Sequence, residues 1–171
     1  TWFDEHMVVE RKDKTIWMLV RTTYGMGQAS STDRGKTWIP GEDTKLSHVN
    51  SRFFIRRLKS GDLLLVSNMP VSGTSRSRMT ARISTDDGQT WSKGLLLDGR
   101  ELVSYPDGVE GLDGRIYLIY DRDRNGDGEI LMATFTEQDV LAGHLVSRNA
   151  KLEQVVDVLQ KNTKSEAGLT K

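Results

Sequence analysis

The sequence predicts an all-β fold assembled from repeated four-stranded units, on three observations. The segment Ser31-Thr32-Asp33-Arg34-Gly35-Lys36-Thr37-Trp38 returns fifty-three residues later as Ser84-Thr85-Asp86-Asp87-Gly88-Gln89-Thr90-Trp91, with Ser, Thr, Asp, Gly, Thr and Trp at matching places. Short runs rich in β-branched and aromatic residues alternate with Gly/Asp turns along the chain. The same order of strand, turn, strand, loop and strand occurs three times. A fixed period of this size marks a repeat architecture, in which each unit cannot bury its apolar face alone.

The first unit runs from Glu5 to Trp38. Glu5 to Arg11 reads as a strand, Lys12-Asp13-Lys14 as a turn, and Thr15 to Arg21 as a second strand rich in Ile16, Trp17, Leu19 and Val20. A loop at Thr22 to Gly25 leads to a third strand that ends in the repeated segment, and Thr37-Trp38 begins a fourth. In the second unit, Arg52 to Leu58 and Leu63 to Asn68 are strands around a Lys59-Ser60-Gly61-Asp62 turn. The longer loop Met69 to Arg76 precedes the strand Met79 to Ser84. The third unit starts at Tyr105, turns at Leu112-Asp113-Gly114, and continues through strands Arg115 to Tyr120 and Glu129 to Phe135, with no repeated segment after them. Leu152, Val155, Val156 and Leu159 fall at helical spacing, which predicts a short amphipathic helix over 152–160. The polar stretch Lys161 to Lys171 is expected to fray. The division is therefore a β-repeat region over 1–150 and a short helix with a polar tail over 151–171.

The repeated segment has a local physical logic. Asp accepts hydrogen bonds from its own turn, and Gly takes a backbone conformation that other residues avoid. Ser or Thr adds a second local bond, and Trp packs beneath.

Composition narrows the partners. Twenty-four Lys and Arg balance twenty-four Asp and Glu, so nothing draws the chain to nucleic acid or an anionic membrane. No long apolar run is present to span a bilayer. The absence of cysteine excludes a disulfide framework without fixing a compartment. The three histidines are scattered without metal-ligand spacing, so neither metal nor cofactor is expected. The run Asp121 to Glu129 resembles a calcium loop but carries Met132 where the bidentate Glu belongs, and reads better as a solvated hairpin loop.

Strand alternation assigns a face to each candidate residue. If the repeated turns lie at the back, the start of strand one, the end of strand two and the loop after it all lie at the front. Those places hold Glu5, His6 and Arg21 in unit one, and Arg52, Asn68, Arg76 and Arg78 in unit two. In unit three they hold Tyr105, Asp107, Asp121, Arg122 and Asp123.

The two S-T-D-x-G-x-T-W segments resemble the Asp box, or bacterial neuraminidase repeat, of sialidase-like β-propellers. The resemblance extends to chain order at the front face. Glu5 opens an inner strand in Asp-Glu-His-Met-Val-Val, Arg21 ends the next strand, Arg76 precedes the second box, and Tyr105 is followed by a D-G turn and a strand ending in Tyr120-Asp121. It implies a sialidase-type propeller of six blades, of which about three are present as the C-terminal half. The remaining blades would come from a parent chain or a second subunit. It also implies an exo-acting hydrolase of a terminal acidic sugar, sialic acid first, with Tyr105 and Glu5 as nucleophile pair and Arg21 and Arg76 as carboxylate clamp. A neutral Tyr suits an anomeric centre that already bears negative charge, and a guanidinium fork suits a carboxylate. The chain opens mid-strand at Thr1-Trp2-Phe3 with no signal peptide visible, a targeting segment could have preceded it, and a secreted or periplasmic location is the expectation that goes with the family.

Departures from the family pattern keep rivals open. Pro106 follows the Tyr, His6 adjoins Glu5, and Arg78 competes with Arg76. Glu5 and Arg21 read equally as an ordinary ion pair at a strand end. The rivals are another glycosidase or a uronate-directed lyase on the same scaffold, and a non-catalytic carbohydrate-binding or interaction propeller.

Overall fold

The computed structural model describes residues 2–159. It contains three four-stranded antiparallel sheets, each a blade in sequence order. Blade one holds β1 (Phe3–Glu10), β2 (Ile16–Thr22), β3 (Gly25–Ser31) and β4 (Ile39–Asp43). Blade two holds β5 (Phe54–Arg57), β6 (Leu63–Asn68), β7 (Met79–Ser84) and β8 (Leu95–Asp98). Blade three holds β9 (Val103–Glu110), β10 (Arg115–Arg122), β11 (Glu129–Thr136) and β12 (Lys151–Val158). The inner strands β1, β5 and β9 pack in succession.

Apolar alternation builds the core between blades. Trp17, Leu19 and Met26 of blade one meet Ile55, Leu63 and Leu65 of blade two in one cluster. Leu64, Val66, Ala81 and Ile83 on the other face of blade two meet Ile116, Leu118, Leu131 and Phe135 of blade three. Blade two is thus covered on both sides, and its β6 and β7 are buried throughout. The outer faces of the two flanking blades keep apolar groups exposed, including Phe3 and Val8 on blade one and Tyr117, Ile119 and Ile130 on blade three.

The repeated turns share one hydrogen-bond scheme. Ser31 Oγ donates to Asp33 at 2.8 Å and accepts from the Gly35 N–H, while Thr37 donates to Asp33 from its backbone at 2.9 Å and its hydroxyl at 2.6 Å. Ser84, Asp86, Gly88 and Thr90 repeat every bond. The fourth strand of blade one begins after the turn, at Ile39 rather than at Thr37.

The segment expected as a helix over 152–160 is strand β12 as far as Val158. It pairs with β11 from Glu129↔Val158 to Thr134↔Lys151, and so satisfies backbone groups that a helix would leave open. Val155, Val156 and Val158 are β-branched and favour the pleated surface. Two register shifts break the alternation, and Glu153 takes a left-handed φ of 53°. That slippage made the apolar spacing imitate a helix. The short helix near the C-terminal end is instead α1 (Glu137–Ala142). The boundary drawn at residue 150 therefore cuts off the last strand of blade three. The stretch 161–171 expected to fray lies outside the described residues.

Helix α1 occupies the place after β11 where the other blades carry their turn. Its anchor is Asp139, a fully buried carboxylate. It accepts from the Thr136 N–H at 2.7 Å, the Val146 N–H at 2.6 Å, and the Ser147 N–H and hydroxyl at 2.8 and 2.6 Å. Burial pushes this carboxyl up, but the hydrogen bonds from Ser147, Val146 and Thr136 outweigh it and hold its pKa at about 2.

Candidate functional site

Blade polarity brings strand starts and strand ends to one mouth. Asp4, near the start of β1, pairs in register with Arg21, near the end of β2. Next to that pair, Glu5 and His6 oppose Val20 alone, a two-against-one bulge. Blade three repeats the device, where Tyr105 and Pro106 oppose Tyr120 alone. Glu5 and Tyr105 both sit in the left-handed region, with φ of 48° and 56°. A non-glycine residue there costs about 1–2 kcal/mol per residue. Bulges of this kind re-aim a side chain, and backbone strain of this kind gathers at functional sites.

Arg21 is the hub. Its Nε and Nη2 donate to the two carboxylate oxygens of Asp4, each at 2.7 Å, and its Nη1 lies 2.9 Å from Glu5 Oε2. The Trp2 ring lies 5.0 Å from the guanidinium. Burial works against the Arg21 charge, but Asp4, Glu5 and the Tyr105 oxygen outweigh it and raise its pKa. The side chain is only 9% exposed. No hydrogen bond joins Glu5 directly to Tyr105; Arg21 pairs with Glu5, and the Tyr105 hydroxyl is among the groups that raise the Arg21 pKa.

Two further arginines flank the tyrosine. The Arg124 guanidinium lies 4.1 Å from the centre of the Tyr105 ring and that of Arg76 lies 6.0 Å from it. Arg124 is held by Asp121, whose other oxygen accepts from Ser104 Oγ at 2.6 Å. Arg76 has a different environment. Its Nη2 donates to the Asn50 carbonyl at 3.2 Å, and no carboxylate pairs with it among the described residues. Arg76, Leu102, Ser104, Asp123, Arg124 and Asn125 line a cavity of about 210 Å³ beside the tyrosine. The buried Asn68 amide donates to the carbonyls of Ser77 and Val103, tying the Arg76 loop to β9.

Of the four residues expected at the mouth, the structure pairs Glu5 with Arg21 and sets Arg76 beside Tyr105. Sequence reasoning missed Asp4 and Arg124. Asp4 was signalled by its register opposite Arg21. Arg124 was signalled by its place between strands two and three of its blade, the place Arg76 holds in blade two. Arg52 meets Asp107 at 3.3 Å on the same side. In the loop once compared with a calcium site, carboxylates are held by the chain's own arginines, Arg124 on Asp121 and Arg122 on Glu129.

A family model for the BNR repeat-like domain matches residues 5–118. The chain belongs to that family. This BNR repeat-like chain is similar in fold to several solved structures. An α-L-arabinanase of Penicillium chrysogenum complexed with arabinobiose matches at TM-score 0.56 and 18% identity, over 77% of this chain and 45% of its own. The Hadza microbial sialidase Hz136 matches at TM-score 0.56 and 16% identity, over 79% of this chain and 31% of its own. An endo-1,4-β-xylanase of Bacteroides thetaiotaomicron matches at TM-score 0.55 and 17% identity, over 79% and 50%. The chain thus spans half the length of these proteins or less. No curated protein matches it. At these identities the likeness establishes the fold alone, a blade array of the BNR-repeat type.

Proposed function

We propose that the front mouth is part of a glycoside-cleaving site acting on a terminal sugar. The observation that carries this reading is the pair of matching bulges at Glu5 and Tyr105, with Glu5 2.9 Å from Arg21 and the Tyr105 ring 4.1 Å from the Arg124 guanidinium, in a fold shared with glycan-active proteins. In this reading the Tyr105 oxygen attacks the anomeric carbon and its proton passes to Glu5. Arg21 holds the two groups in register, and Arg76, open to the cavity, meets the substrate. An acid for the leaving group and the rest of the ring would come from further blades, of a parent chain or a second subunit. The exposed apolar faces of blades one and three suit such partners. Sialic acid and other acidic sugars are one substrate class, and neutral pentosides such as those of the arabinanase are another.

The test is hydrolysis of a panel of aryl glycosides, sialosides and arabinofuranosides included, by the intact protein. We expect release from at least one substrate, and a fall in kcat of at least about a hundredfold, about 2.7 kcal/mol of barrier, in Tyr105→Phe. Saturable glycan binding with no turnover of any substrate would hand the site to the non-catalytic binding reading.

A further inference from the structure

Resting on the reading of the mouth as a sugar site, we infer that Asp4 occupies the carboxylate-binding fork of Arg21 from within and makes the site select sugars that lack a carboxylate. A substrate carboxylate would approach Arg21 as a planar bidentate partner of Nε and Nη2. Asp4 already makes that contact, with both bonds at 2.7 Å. Glu5 takes Nη1 at 2.9 Å. The Trp2 ring lies 5.0 Å from the guanidinium. With 9% of its side chain exposed, Arg21 has no open edge for a ligand. An acidic sugar would have to expel Asp4 and would meet two resident carboxylates, Asp4 and Glu5, so its charge is repelled where a clamp would attract it. Arg76 is then the one guanidinium beside Tyr105 that lacks a carboxylate partner among the described residues, and a lone guanidinium gives a weaker claim on a carboxylate than a converging set. A neutral sugar loses nothing here, because its hydroxyls can accept from Arg76 and donate to Asp4, whose side chain is 43% exposed.

Asp4 acts through Arg21 and is a positioning residue for specificity. Its test is a pair of probes that differ only in charge, the methyl glycoside of N-acetylneuraminic acid and its C1 carboxamide, titrated calorimetrically into the intact protein. The expected result is that the wild type binds the amide at least as tightly as the acid. Asp4→Asn, which keeps the shape and frees the fork, shifts the acid-to-amide ratio at least tenfold toward the acid, and Asp4→Glu leaves it near the wild-type value. A merely structural role for Asp4 would weaken both probes alike and leave the ratio unmoved, which overturns the inference. A wild type that prefers the acid tenfold or more also overturns it, while leaving the sugar site intact. If neither probe binds the wild type, Asp4→Asn or Asp4→Glu, the inference falls, and the aryl glycoside panel decides the sugar site separately. Should Asp4→Asn fail to fold, the wild-type ratio alone decides.

Discussion

The back of the blades and the front mouth use the same kinds of side chains under opposite rules. At the back, Asp33 and Asp86 bond only to groups two to four residues away. At the front, Arg21 reaches Asp4 across seventeen positions, Asn68 reaches Val103 across thirty-five, and Arg52 reaches Asp107 across fifty-five. The Asp33 and Asp86 bonding schemes close within their own turns and repeat in the first two blades, although Asp87 of the second turn also accepts from the Lys12 N–H. The mouth exists only once three blades are stacked. Stability should therefore be concentrated at the back and substrate selection at the front.

The largest effect should come from breaking the back of blade three. Asp139→Ala strips several buried donors of their acceptor at once, the N–H groups of Thr136, Val146 and Ser147 among them. We expect a loss of about 3–4 kcal/mol, read from the urea midpoint. A change under about 1 kcal/mol would mean that α1 is dispensable and that blade three is held by its ladders alone.

Acid should expose the same asymmetry. The folded Asp139 titrates at about 2 against an ordinary value of 3.8. A depressed folded pKa gives stability that is present above the unfolded value and lost as pH falls through the folded one. The window is thus from about pH 4 down to 2, and Asp139 contributes about 2 kcal/mol across it. Asp33 and Asp86, held at about 2 by hydrogen bonds from Thr37 and Thr90 and then from Ser31 and Ser84, act in the same direction. Urea unfolding at pH 6, 4 and 2.5 checks this. In Asp139→Ala the slope should be visibly flatter, and an unchanged slope would move the acid sensitivity elsewhere.

The two back turns can also be set against each other. Gly35 and Gly88 hold equivalent places, with φ of 85° and 91°. A Cβ on Gly35 meets nothing within 4 Å, whereas one on Gly88 would stand 2.7 Å from the ring of the buried Trp17 in blade one. Gly35→Ala should cost about 1 kcal/mol of backbone strain, and Gly88→Ala about 1–3 kcal/mol beyond that. Equal costs would show that the second turn is free to lift off Trp17.

What the sequence revealed follows the same division. The repeated turns were legible because each bond lies within the motif. The facing of Glu5, Arg21, Arg76 and Tyr105 was legible because strand alternation carries polarity over any distance. Asp4 as partner of Arg21, and Arg124 against Tyr105, depended on register at a bulge and on the path of a loop. Local pattern does not encode either. β12 was misread for a related reason, since its bulges disturb the period that distinguishes a strand from a helix.

The smallest effect should come from the front, and its smallness is the point. Arg52 and Asp107 meet at 3.3 Å with side chains 29% and 55% exposed. Such a pair lies in high dielectric and orders two flexible side chains, so its net contribution is about 0–1 kcal/mol. Asp107→Asn should leave the urea midpoint within about 0.5 kcal/mol of wild type. It should still alter glycan affinity, because it frees a guanidinium on the side of the blades that carries Tyr105. If it destabilises the fold as much as a back-turn glycine does, the division between a stabilising back and a selecting front fails at its most exposed contact.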